Sequence, residues 1–299
     1  MDDHPKRTEV VFKTRDRSTC GEPQLVLASA GISSNLIHQD GGWVIVVAAE
    51  DEAKSLDELR LHQQDNAGQT PRGRVRIPLF DGAFGGICVY TLVVSLIGFC
   101  DHFSAYQLQW REVGRMQAGE VMSGQWYRVF TALTLHVDLQ HLLSNLAFGC
   151  LFGLLAGRIL GGGVAWFSIV LAGAMGNAIN AIVRDADHSS IGASTAVFAA
   201  LGILVAHALR PRSDSALSEN ALKRWRPLIG GVLLLALVGV GGERTDVVAH
   251  VTGFFSGVII GWIACRMPDR FLADSRFQSV AAGLALAMIA MAWAIAIFV

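Results

Sequence analysis

Beyond residue 82 the chain is dominated by seven apolar segments, at about 83–100, 139–160, 163–183, 194–210, 227–241, 246–265 and 279–299. Lipid offers the backbone no partners, so only a helix or a closed barrel crosses it, and a helical crossing needs roughly 20 apolar residues. Several segments reach that length. The fourth and fifth fall short and complete a span only with flanking residues, so the seven are expected to fold as one packed bundle. Composition agrees: 52% of the 299 residues are hydrophobic, 16% are charged and the mean hydropathy is +0.44. The partner these numbers imply is the lipid bilayer. A net charge of -1, with basic residues in loops and not along one helix face, argues against a nucleic-acid partner.

The five cysteines, Cys20, Cys88, Cys100, Cys150 and Cys265, form no CxxC pair and lie mostly in apolar segments. No disulfide framework, metal site or cofactor is expected from them. The first thirty residues carry Asp2, Asp3, Lys6, Arg7, Glu9 and Lys13 and have no uninterrupted apolar core, so no cleavable leader is expected.

Residues 1–72 read as a small α+β cytoplasmic domain: strands at 10–12 and 43–47, helices at 23–30 and 51–64, the second helix amphipathic with acidic residues in its first turn. His38 and His62 read as surface residues. A basic linker, 73–82, leads into a six-helix core, 83–265, followed by a loop and one additional C-terminal helix, 266–299. The fold class is thus an all-α polytopic membrane bundle of seven helices with an N-terminal α+β domain. Lys and Arg cluster before the first segment (Arg72, Arg74, Arg76), between the fourth and fifth (Arg210, Arg212, Lys223, Arg224, Arg226) and between the sixth and seventh (Arg266, Arg270, Arg276). Positive loops stay inside, which puts the N-terminus in the cytoplasm and the C-terminus outside. The 101–128 loop is then external, and its Phe103, Tyr106, Leu108, Trp110 and Met116 predict an interfacial helix or re-entrant segment.

Polar groups in hydrocarbon must find partners, so their placement is informative. His141 and Asn145 are spaced i, i+4 and share one helix face, about 40° apart; His136, five before His141, turns off it. Ser194 opens the fourth segment, as a helix cap or as a reactive hydroxyl. The sixth segment repeats Ala249, Gly253, Gly257 and Gly261 at every fourth position, a small-residue stripe for close helix approach. A matching surface is expected from Ala196, Ala199, Ala200 and Gly202. If these faces meet, His250 approaches Ser194 in the arrangement of a nucleophile and its base. Each feature alone also has a plain packing or capping explanation.

Four motifs in order, Gly124-Gln125-Trp126-Tyr127-Arg128, the His136/His141/Asn145 pattern, Gly192-x-Ser194, and Ala249-His250-x-x-Gly253-x-x-x-Gly257, resemble those of the rhomboid intramembrane serine proteases, in the bacterial arrangement of six helices plus one. The resemblance implies a Ser194–His250 dyad, an oxyanion site made by the Ser194 N–H, His141 and Asn145, and support from Gly192, Phe198, Gly253, Gly257, His136, Trp126 and Arg128. It implies single-span transmembrane proteins as substrates, cleaved near the outer face of a bacterial plasma membrane, with no metal or cofactor. It also makes the fifth segment a candidate lateral gate. Thr195 stands where the family often has glycine, Phe198 where it often has tyrosine, and Gly157-Arg158 where an acidic residue is frequent. The competing readings are an inactive rhomboid-like protein that binds membrane clients, a haem protein using His141 and His250, and a transporter, for which no inverted repeat or carboxylate pair appears. No oligomeric state is assigned.

Overall fold

The computed structural model describes residues 7–65, 79–210, 221–239 and 245–298. The chain divides into two compact units, Met1–Val75 and Arg76–Val299. The basic residues Arg72, Arg74, Arg76 and Arg212 and most of the 73–82 linker fall outside the described residues.

The first unit runs β1 (Thr8–Thr14), α1 (Gly21–Ser29), β2 (Ser34–Gln39), β3 (Gly42–Ala48) and α2 (Glu52–Asp65). The strands form an antiparallel sheet in the order β1-β3-β2. Trp43-Val44-Ile45-Val46-Val47 suits the central strand, and Ile45 and Val47 join Cys20, Leu27 and Ile32 in a small core. β2 is an addition to the expected elements. Its alternation is thin, and the signal that announces it is Asp40-Gly41, where φ values of 51° and 74° make a two-residue hairpin turn.

The second unit contains α3 (Ala83–His102), α4 (Trp110–Gly114), β4 (Met116–Gln117), α5 (Ala118–Met122), α6 (Arg128–Thr131), α7 (Leu139–Leu160), α8 (Gly162–Val183), β5 (Ser189–Ser190), α9 (Ser194–Ala208), α10 (Ala221–Gly239), α11 (Val247–Ala264), α12 (Asp269–Leu272) and α13 (Ser275–Phe298). Among the described residues, α3, α7, α8, α11 and α13 are long and apolar enough to cross a membrane. α9 and the Arg226–Leu237 part of α10 are apolar but shorter.

α8 lies at the centre: 50% of its apolar stretch is buried, against 11% for α3. Small residues admit its neighbours. A Cβ at Gly162 would strike the Gly82 carbonyl, one at Gly163 the Gln278 carbonyl, and one at Gly176 would stand 2.7 Å from the Gly253 Cα. α11 lies against α9 through Gly253 at the Thr195 carbonyl, Gly257 at the Ala199 carbonyl and Gly261 at Ile203. Both partners advance by four residues, so the two helices run parallel in constant register. The surface that α9 presents is therefore Thr195, Ala199, Gly202 and Ile203. Ala196, expected on it, turns to Gly173 of α8 instead.

The 101–128 region is not one interfacial helix. Positive φ at Ser104, Tyr106 and Gln107 breaks it into short pieces. Phe103 and Tyr106 are exposed, whereas Trp110 and Met116 are buried. Trp110 seats against Trp293 of α13 with ring centroids 5.0 Å apart, and Trp293 Nε1 donates to Thr134 Oγ1 at 3.0 Å.

Candidate active site

The turn before α9 brings three polar side chains together. Gly192 N–H donates to the Ala132 carbonyl at 2.9 Å, and its φ of +142° is reached readily only by glycine. A Cβ there would stand 2.7 Å from His141 Cε1, 2.9 Å from His141 Nε2 and 3.3 Å from Ser194 Oγ. Gly192 is thus what leaves room between the imidazole and the hydroxyl. The cap position of α9 is Ala193, already helical at φ -67° and ψ -8°, so Ser194 is the first helical residue and not the cap. Its N–H belongs to the first turn, where no earlier carbonyl of the helix accepts it.

His141 and Asn145 project from the N-terminal turns of α7, whose first turn is capped by Asp138 Oδ1 accepting from His141 N–H at 2.8 Å. Val137 N–H donates to His141 Nδ1 at 3.5 Å. The neutral ring then carries its proton on Nε2, the nitrogen that faces Gly192. Asn145 is 5% exposed, and its Nδ2 has no hydrogen-bond partner among the described residues. His136 is not turned away from this pair. α7 begins only at Leu139, so helical spacing does not govern His136, whose ring lies 5.2 Å from that of His141. Its Nε2 accepts from Ala193 N–H at 3.5 Å, and burial, with His141 alongside, pushes its pKa down to about 3. A neutral imidazole can accept at that nitrogen; an imidazolium cannot.

His250 is buried in the first turn of α11, and its ring lies over Phe198 with centroids 4.5 Å apart and planes at 36°. Phe198 is one turn after Ser194 on the same face of α9. The Thr195–Gly253 contact brings the two helix starts to one level, with Ser194 one residue before Thr195 and His250 three before Gly253. Thr195 is 2% exposed, its methyl between Gly176 and Gly253. Its bulk therefore goes into the seam between α8 and α11.

A cluster that sequence reading missed lies beside this level. Asp246 caps α11, accepting from Ala249 N–H at 3.1 Å, and also holds His188 Nε2 at 2.9 Å and Asn180 Nδ2 at 2.7 Å. The available signal was an aspartate one turn before His250, at a helix start. Burial raises the Asp246 pKa, but hydrogen bonds from His188, Ala249 N–H, Asn180 and Ser190 outweigh it and hold the carboxyl below the ordinary range. A carboxyl lowered on folding stabilises the native state above its unfolded value, about 3.9, and that contribution is lost as pH falls through the folded value. Melting temperature is therefore expected to fall on acidification below about pH 4, and Asp246→Asn to flatten that acid limb in a pH series of thermal melts.

Residues 123–267, which contain all the groups just described, match the rhomboid domain. The chain belongs to the rhomboid family. YdcA of Bacillus subtilis (strain 168), a candidate rhomboid protease, is 25% identical over 163 residues, 54% of this chain and 78% of that protein. The chloroplastic Rhomboid-like protein 11 of Arabidopsis thaliana is 28% identical over 152 residues, and Rhomboid-like protease 2 of Toxoplasma gondii 29% over 147. Of those two the chain spans about half the length, 54% and 48%.

In this rhomboid the motif before α7 is structural. Arg128, with its side chain 8% exposed, donates through Nε to Gln125 Oε1 (2.7 Å) and through Nη1 to the carbonyls of Glu112 and Arg115 (2.9 Å each); Nη2 pairs with Glu120 at 2.8 Å. It ties α4, α5 and α6 into one unit. Trp126 is 48% exposed and meets only Phe130 edge-on among the described ring contacts. Glu120 is half-buried, but losing Arg128 also leaves the Glu112 and Arg115 carbonyls unmet, so Arg128→Ala is expected to cost about 2 kcal/mol in detergent melts, with Trp126→Ala near neutral.

Proposed function

We propose that this rhomboid is an intramembrane serine endopeptidase that cleaves single-span membrane proteins. The observation that carries the reading is the space kept open by Gly192, flanked by Ser194 Oγ and His141 Nε2. Asn145 Nδ2, a buried amide donor with no described partner, lies one turn along the same helix face as His141. An unmet amide in an apolar setting costs roughly 1–3 kcal/mol, which suits a group whose acceptor appears during reaction.

In this reading Ser194 Oγ attacks the scissile carbonyl while His250 takes its proton. The carbonyl oxygen becomes an oxyanion, met by the Ser194 N–H, His141 Nε2–H and Asn145 Nδ2–H. His250 then gives the proton to the leaving amine, and water hydrolyses the acyl-enzyme by the reverse sequence. The Phe198 ring fixes the imidazole plane without competing for its nitrogens. No acidic third member is invoked. Asn145→Ala is expected to lower kcat about 10²-fold with little change in KM, because its donor acts on charge that develops only in the transition state.

Depth follows from the length of α9. Fifteen residues rise about 22 Å, against a hydrocarbon core of about 30 Å. With its Arg210 end anchored at one interface, Ser194 stands several ångströms below the other, where a hydrated pocket must supply water. The chain crosses seven times on this reading, α9 and α10 being the short crossings, with the N-terminal unit on the Arg-rich cytoplasmic side and the site toward the outside. A substrate helix must unwind to expose its peptide bond, so helix-weakening residues near the cut are favoured.

The test is a reconstituted assay on a labelled transmembrane peptide together with fluorophosphonate labelling of the purified protein. Cleavage and labelling that both require Ser194 support the protease. Binding of the peptide without cleavage or labelling identifies a client-binding protein instead.

A further inference from the structure

Asp246 does more than cap α11. A cap needs one acceptor oxygen, which Asn supplies as well as Asp. Here Oδ1 serves Ala249 N–H, while Oδ2 serves Asn180 Nδ2 of α8 and His188 Nε2, and the Ser190 hydroxyl donates to the same carboxylate. The Asp246 side chain is 13% exposed and that of His188 19%, so this is a half-buried network and not a freely exposed ion pair. The sum of these donors keeps the group a carboxylate in spite of its burial.

The second oxygen joins two segments that no backbone ladder connects. Ser190 sits in β5, paired with Met116 of β4, and four residues later the chain reaches Ser194. From Asp246, one helical turn reaches His250. We propose that Asp246 is a positioning residue, which with His188 forms a latch holding the segment that carries Ser194 against the helix that carries His250. The proposal rests on the dyad reading for its consequence in catalysis; the latch itself is a statement about two segments.

Two readouts on the full-length protein in lipid test it: hydrogen exchange of residues 187–193 and 247–251, and kcat and KM on the transmembrane peptide. Asp246→Ala and His188→Ala should each raise exchange in both segments and lower kcat about ten-fold at nearly constant KM, with the double variant no worse than the single ones. Asp246→Asn, which keeps the cap, should recover part of the loss. Faster exchange confined to the mutated segment, or unchanged kcat, overturns the proposal. Should Asp246→Ala fail to fold, His188→Ala decides, since it leaves the cap in place. A wild-type protein that neither cleaves nor labels marks failure of the dyad reading, and the exchange measurements still decide the latch.

Discussion

Ser194→Ala and His250→Ala are each expected to lower cleavage by at least about 10³-fold, to abolish fluorophosphonate labelling, and to lose no more when combined than apart. The groups act as one unit: an alcohol without its base is a weak nucleophile, and an imidazole without the alcohol has no proton to take. Stability separates the two variants. Ser194 is the first residue of α9 and not its cap, so loss of its hydroxyl should leave the fold nearly unchanged. His250 lies on Phe198, and its truncation leaves a void beside that ring, expected to lower the melting temperature modestly. His250→Gln fills more of the same volume without a usable base. If it melts like wild type and cleaves nothing, the loss is chemical. Equal cleavage by wild type, Ser194→Ala and His250→Ala would sink the dyad.

Much of the helical frame was legible because lipid imposes one rule on sequence. The apolar stretches at 139–160 and 246–265 correspond closely to α7 and α11, and the short fourth segment to α9, since a breach of the apolar run ends a helix in hydrocarbon. The Gly253, Gly257 and Gly261 stripe was legible for the same reason: small residues every fourth position serve no other local purpose. What was less legible lies where the chain leaves the helices. His136 was misjudged because the spacing rule was extended three residues before α7 begins. Of the two readings of Ser194, the cap fails because Ala193, with no capping group, takes that position. Asp246 and His188 are 58 residues apart in sequence, and nothing periodic links them; only folding brings them within 2.9 Å. The identity of the α9 surface depended on register, which composition of the two faces does not fix.

Gly257→Val is expected to have the second large effect, through the fold and then through the site. A Cβ at Gly257 would overlap the Ala199 carbonyl oxygen and stand 2.7 Å from the Ala199 Cα, so the obstacle is backbone. Overpacking against side chains typically costs about 1–3 kcal/mol because rotamers adjust; here α9 as a whole must move, and the upper end or more is expected. A shift near 1 Å between α9 and α11 would also part Ser194 from His250, and misplacement of that size costs about 10²-fold in rate. Gly283→Ala on α13 is the control: nothing lies within 4 Å of its Cβ position, and helix propensity alone favours alanine by about 1 kcal/mol, so it should melt at or slightly above wild type. The pair of variants separates steric closeness from glycine flexibility, since both residues sit inside apolar helices. Were Gly257→Val to melt and cleave like wild type, the close approach of α9 and α11 would not be what holds the two candidate residues together, and the burden would pass to contacts at the helix starts.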